Sequence, residues 1–245
     1  MTAKKKAADS SKKIWIGVIV GIAAIVIFAR PFLSPQQRLG RQIKEVETLH
    51  WQGKRVEAVP QAKAAIEEAK KVYGERAPQT LRAMELLLEI YRAKGERENV
   101  RELSAQIEKL YQEERASVEE LMGPDSPQLF TLLQSMAHFY HLQHDYVQAE
   151  ALYQEALEKV RRVRGPSDPN IVGIQYQLIN VYTNQGMADK SEVLYKEILA
   201  YYENRFGTDN IALQNPLRQM AEFYHRFGKE KEAKEAEARL ATLRP

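Results

Sequence analysis

His138, His141 and His144 form H-x-x-H-x-x-H, a pattern that invites a metal ion. On a helix, side chains three apart lie about 60° apart around the axis, so two neighbours can share an ion. A third fixed ligand is missing. No carboxylate stands at a diagnostic spacing, and His144 falls where the chain is expected to turn, so surface or packing histidines are the expectation. No metal and no other cofactor is expected. Twelve tyrosines raise a second chemistry, base stacking. Most of them recur beside Leu and Ala, which points to core packing instead. Catalysis leaves no pattern: there is no G-x-S-x-G, phosphate loop, H-E-x-x-H or dinucleotide fingerprint, and no cysteine for thiol chemistry. Glutamates are too abundant for any pair to stand out. An enzyme is not expected, and a secreted all-helical hydrolase is the weakest reading.

Charge narrows the partners. The chain carries +3 overall, but residues 1–13 alone hold five lysines against one aspartate, leaving 31 basic and 32 acidic residues elsewhere. A near-neutral body argues against nucleic acid as the main ligand.

The elements that hold these residues follow a repeat. Tyr140, Tyr182 and Tyr224 recur at intervals of 42, and Tyr91 precedes them by 49. Each follows a glycine (Gly74, Gly123, Gly165 and Gly207) by 17 residues. Four residues beyond each tyrosine comes a second turn position: Gly95, His144, Gly186 and Gly228. The stretch from Gly95 to Gly123 carries seven extra residues, close to two helical turns, which lengthens a helix with little rotation of its apolar face. Between the turns the apolar spacing is helical: Met136, Ala137 and Tyr140 lie on one face of a first helix, and Ala149, Leu152, Tyr153, Ala156 and Leu157 on one face of a second. Ala77-Pro78, Ser126-Pro127 and Asp168-Pro169 mark helix starts. No segment alternates with period two, so no strand is expected. Pro60 should kink or delay its helix, and Pro216 should delay another until after Asn215.

The run MAHFYHLQHDYVQAEALYQEAL, followed by Gly165 and Pro169, closely resembles the tetratricopeptide family in its 42-residue, kinesin-light-chain-like form. The next unit, LINVYTNQGMADKSEVLYKEIL before Gly207, is a looser match, with Ile211 in place of the proline. The resemblance extends over roughly 36–245 and implies an all-α, right-handed superhelical solenoid of about five antiparallel helix pairs, in units near 36–73, 77–121, 126–164, 168–206 and 210–245. It further implies a concave face, lined by first helices, that grips a peptide or partner helix. Positions nine, five and two before each tyrosine project onto one helical face. They give Thr131, Ser135 and His138; Gly173, Gln177 and Asn180; Asn215, Gln219 and Glu222; and, earlier, Arg82, Leu86 and Glu89. The amides of Gln177, Asn180, Asn215 and Gln219 can donate and accept together, as holding a peptide backbone requires. The plainer alternative is that these are solvated helix sides.

Ile14 to Ala29 (IWIGVIVGIAAIVIFA) is free of charge, and Phe32-Leu33 extends it past Arg30-Pro31. Sixteen helical residues rise roughly 24 Å against a hydrocarbon core of about 30 Å, a mismatch that Lys13 and Arg30 can bridge by snorkelling. A transmembrane anchor over 14–33 is expected, between a basic tail at 1–13 and the repeat body at 34–245. A cleaved signal peptide is the alternative, weakened by the absence of a small-x-small site. The lysines of the tail favour a cytoplasmic amino terminus and a repeat body outside the cytoplasm, periplasmic in a bacterium. The expected whole is a single-pass membrane protein, a scaffold for a protein or peptide partner. The alternative is a structural module that forms homo-oligomers through its anchor, where Gly17 and Gly21 form one G-x-x-x-G, and its terminal repeats.

Overall fold

The computed structural model describes residues 33–244. The basic tail and, apart from Leu33, the expected membrane anchor therefore lie outside the described residues. Within them no helix is long and apolar enough to cross a membrane.

Among the described residues ten α-helices follow one another: α1 Pro35–Trp51, α2 Arg55–Tyr73, α3 Pro78–Lys94, α4 Arg97–Met122, α5 Pro127–Leu142, α6 Tyr146–Arg164, α7 Pro169–Asn184, α8 Ala188–Phe206, α9 Gln214–Arg226 and α10 Glu230–Leu240, with a 3₁₀ turn at Ile211–Leu213. They pair as α1/α2, α3/α4, α5/α6, α7/α8 and α9/α10 into an all-helical, tetratricopeptide-like solenoid. No strand occurs among the described residues, only an isolated bridge between Asn210 and Arg244.

Local chemistry sets the boundaries. Pro35, Pro78, Pro127 and Pro169 each open a helix, where the missing N–H costs nothing. Ser34 and Gln37 form a reciprocal capping box, the Ser126 hydroxyl accepts from Leu129 N at 3.3 Å, and the Asp168 carboxylate accepts from Asn170 N at 2.8 Å. Gly165 ends α6 at φ 85°, ψ 167°, a conformation that only glycine adopts freely. His144 fills a slot that is glycine in the other pairs, and it does so at φ 63°. The left-handed backbone costs a non-glycine residue roughly 1–2 kcal/mol. A contact of 2.9 Å between His144 Nδ1 and the Tyr146 hydroxyl offsets part of it.

The two prolines behave differently from expectation. Helix α2 runs unbroken from Arg55 through Pro60 to Tyr73. Pro60 is exposed, so the carbonyl it fails to engage one turn earlier can meet water. Helix α9 starts at Gln214, before Asn215, which brings Pro216 into its first turn. The preceding 3₁₀ turn is capped by Asn210, whose side chain accepts from Ala212 N at 2.9 Å.

Small residues let the helices close on one another. Ala137, Ala149 and Ala156 are fully buried beside Leu133, Met136 and Tyr153. One apolar cluster runs from Val46 to Tyr182, and a second, from Val172 to Ala236, closes the carboxyl-terminal end. Helix α10 buries only Ala233 and Ala236, and the tail after it folds back. Ile211 N donates to Arg244 O, and Arg244 N to Asp209 O, each at 2.7 Å.

Successive pairs are also clamped by a polar contact that repeats. The hydroxyls of Tyr140, Tyr182 and Tyr224 donate to Glu108, Glu150 and Glu192 at 2.8, 3.0 and 3.3 Å. Each glutamate lies 32 residues before its tyrosine, on the second helix of the preceding pair. These contacts show where the seven extra residues went. Glu150 and Glu192 are the fifth residues of α6 and α8, whereas Glu108 is the twelfth of α4. Helix α4 has 26 residues, and α2, α6 and α8 have 19 each. The pairs from α5 onward are consequently displaced by about 10 Å along the helix axes relative to α1–α3. Contacts at both ends agree with this step. Arg76, in the turn after α2, reaches the carbonyl of Glu113, well short of the end of α4. Ser104, well inside α4, meets Gln143 at the end of α5.

Candidate functional site

A groove with a mixed lining lies between α7 and α9, with a volume of about 640 Å³. Its floor comes from the apolar pattern. Ile179 and Phe223 face inward from the two first helices, and Tyr195 rises between them from α8. Tyr176 and Tyr195 meet edge to face with ring centres 6.4 Å apart, and Tyr195 and Phe223 are 5.0 Å apart. Burial pushes both tyrosine hydroxyls above their ordinary range, so they stay protonated at neutral pH. Asn180 and Thr183 line one wall, and Arg218, Gln219, Glu222 and Arg226 the other.

The polar wall is partly organised already. Arg218 donates to Glu222 at 3.0 Å and to Asn215 at 3.2 Å, so its guanidinium is fixed by its own helix. Asn180 and Gln219 present amides from opposite walls, over an aromatic floor. An amide pair at that position can take both the N–H and the C=O of an extended backbone, while the rings accept an apolar side chain.

Of the residues nominated from sequence, the structure brings Asn180, Gln219 and Glu222 into this one groove. Gln177 is half-buried on α7, and Asn215 is exposed but engaged by Arg218. Thr131 and Ser135 sit on α5, where their hydroxyls donate to their own helix, to Pro127 O and Thr131 O, each at 3.2 Å. His138 is half-buried. Burial, then Arg82 and His141, lower its proton affinity, so it is neutral at pH 7. The other two histidines of the triplet have their own partners: His141 Nε2 meets Asn184 Nδ2 at 2.8 Å and His144 meets Tyr146. Among the described residues no group of three metal-capable side chains converges.

Tyr176, Tyr195, Arg218 and Arg226 were missed from sequence. Tyr176 and Arg218 lie six residues before Tyr182 and Tyr224, one position from the projected column. That is a rotation of about 100° around a helix. The same slot holds Gln134 in α5 and Glu85 in α3, so a glance at its chemistry across the units was the available signal. Tyr195 belongs to a second helix and had no such signal. The glutamates of the clamp did: Glu108, Glu150 and Glu192 recur at 42, in step with the tyrosines they hold.

Glu85 behaves unlike the other residues in its slot. It is 4% exposed, accepts from the Tyr111 hydroxyl at 2.8 Å, and has Arg82 at 3.7 Å. Burial raises its proton affinity, against the opposing pull of Tyr111 and Arg82.

With the geometry in place, known proteins can be compared. Residues 130–170, the α5/α6 hairpin and the turn after it, match the family model described as tetratricopeptide repeat. Among solved structures, a kinesin-light-chain-type protein of nearly identical TPR-like repeats from Podosopora anserina aligns with a TM-score of 0.56 at 17% identity, over 85% of this chain and 95% of that one. BtubC (BKLC) from P. vanneervenii aligns with a TM-score of 0.51, also at 17% identity, over 98% of this chain and 90% of that one. Both establish the fold, a TPR-like solenoid. A search of curated protein sequences returned no match.

Proposed function

We propose that this chain is a membrane-anchored, non-catalytic scaffold that holds an extended peptide or a partner helix in the groove between α7 and α9. The observation that carries the reading is that Asn180 and Gln219 line one groove of about 640 Å³ together with Tyr176, Tyr195 and Phe223. The TPR-like fold supports a binding role by analogy alone.

The anchor is the run from Ile14 to Leu33, with Lys13 and Arg30 at its borders. The five lysines of residues 1–13 hold the amino terminus in the cytoplasm and leave the repeats on the other side. An alkaline phosphatase reporter fused after Pro245 should be active, and a silent reporter would reverse the orientation.

The groove is tested by identifying partners through proximity labelling of the full chain in its own membrane. Their capture is then repeated with Asn180→Ala and Gln219→Ala combined. Capture should fall by at least about tenfold, the effect of roughly 1.4 kcal/mol, with the helical circular dichroism intact. Undiminished capture by the folded variant would end the groove assignment.

A further inference from the structure

Antiparallel helix pairs put the start of every first helix and the end of every second helix on one edge of the solenoid. Here that edge carries Ser34, where the chain comes in from the apolar run, together with the last turns of α2, α4, α6 and α8. Ser34 follows Leu33 directly and caps α1 through its reciprocal bonds with Gln37. If the run ending at Leu33 crosses a bilayer, the entry edge must stand within a few ångströms of the headgroups.

The side chains at that edge suit such a position. Leu121 is 77% exposed and Met122 55%, both in the last turn of the long helix α4. The step in the stack carries this turn about 10 Å beyond the end of α2, past the level of Ser34. Val163 and Phe206, also exposed, end α6 and α8 on the same edge. Basic residues end the neighbouring helices, Lys70 and Lys71 in the last turn of α2, Arg161, Arg162 and Arg164 in that of α6, and Arg205 in that of α8, whereas the last turn of α4 has no basic residue and carries Glu119 and Glu120. Cations there complement the helix C-termini; Lys70, Arg161, Arg162 and Arg164 pair with Glu67, Glu197, Asp125 and Asp168 and would exchange those carboxylates for lipid phosphates. The opposite edge exposes apolar side chains too, Trp51, Val56 and Val147 among them. It lies a full helix length, about 25 Å, from Ser34, which places it away from the headgroups.

We infer that the entry edge of the solenoid lies against the lipid surface, with Leu121 and Met122 at the boundary between headgroups and acyl chains. The inference rests on the anchor reading above and adds to it an orientation. The helices stand steeply on the membrane, and the α7–α9 groove opens sideways, parallel to it. A partner that is itself membrane-bound can then enter without leaving the bilayer.

The chain has no cysteine, so single substitutions give clean labelling sites. Leu121→Cys, Met122→Cys and Phe206→Cys probe the entry edge, Trp51→Cys and Val147→Cys the opposite edge, and Ile25→Cys the anchor. Each full-length variant is labelled with bimane and reconstituted into vesicles of phosphatidylcholine and phosphatidylglycerol containing a nitroxide lipid with its spin near the headgroup. Entry-edge labels should be quenched at least about twofold more than opposite-edge labels, in keeping with burial of about 5–10 Å into the interface. If Ile25→Cys is quenched and the two edges do not differ, the orientation is overturned while the anchor stands. If Ile25→Cys is not quenched either, the anchor reading fails and the orientation with it. Disulfide cross-linking of Leu121→Cys between copies, in place of quenching, would assign the apolar turn to self-association and overturn the lipid contact.

Discussion

The front of the solenoid, α1–α4, and its back, α5–α10, are built from the same repeat but secure it in different ways. At the back, Tyr182 and Tyr224 reach partly exposed glutamates that are also paired with lysines, Glu150 with Lys190 at 2.8 Å and Glu192 with Lys196 at 2.6 Å and with Lys229. At the front, the position 32 residues before Tyr91 is Val59, so the clamp is absent there. Instead, a tyrosine–glutamate bond lies inside the core, between Tyr111 and Glu85. The difference shows that one pair of residue types can serve opposite electrostatic ends. Where lysines and water reach the glutamate, its charge is stabilised; where they do not, burial works against it.

Tyr111→Phe and Tyr182→Phe compare the two directly. Loss of the Tyr111 hydroxyl leaves a buried carboxyl without its donor, an expected cost of about 1–3 kcal/mol in urea unfolding. Loss of the Tyr182 hydroxyl leaves Glu150 with Lys190 and Gln154 still nearby, an expected cost of about 0.5–1 kcal/mol. Equal costs would mean that burial does not distinguish the two bonds.

The pH response should differ in sign. Hydrogen bonds from Lys196 and Lys229 bring Glu192 down to about 2, below its ordinary value of 4.5. Its contribution is therefore present above 4.5 and is lost as pH falls from there toward 2. Glu85 is shifted upward by burial, so its folded form holds the proton more tightly, and stability from this group is lost as pH rises past 4.5 and through its raised value. Glu85→Gln, which still accepts from Tyr111, should stabilise the protein at pH 7 and have no such effect at pH 4. Glu192→Gln should destabilise at pH 7 and flatten the acid limb. Chemical denaturation at the two pH values checks both, and shifts of the same sign would refute the contrast.

The smallest expected effect concerns the turn between α5 and α6, in the first pair of the back. His144→Gly relieves a left-handed backbone but forfeits the Tyr146 contact, for a net gain of about 0.5–1 kcal/mol. A loss of stability would show that the contact outweighs the strain.

The period of 42, the helical character, the pairing and the turn at His144 were legible in the sequence because each is local. A proline opens a helix and a glycine closes one wherever they stand, and apolar spacing of 3.6 needs no distant neighbour. The insertion of seven was legible as a number, and two whole turns were expected to leave the apolar face in place. That it slides the back of the stack along the front became visible only in tertiary contacts, those of Tyr140 with Glu108 and of Arg76 and Ser104.

The candidate site divides in the same way. Asn180, Gln219 and Glu222 could be projected from one helix at a time, because their place depends on the angle around that helix alone. Tyr195 could not, since it reaches the groove only because α8 packs behind α7 and α9. Tyr176 and Arg218 lie at the border of the projected face, and the approach of α7 to α9 decides which border turns into the groove. The chemistry of Glu85 belongs to the tertiary structure as well: its helix position equals that of Arg218, yet neighbours from α4 bury it. Sequence alone determined what each helix is and, apart from α2 at Pro60 and α9 at Pro216, where it begins and ends. Which of its faces meets water, a neighbour or a partner was decided by packing, because burial depends on atoms supplied by distant parts of the chain.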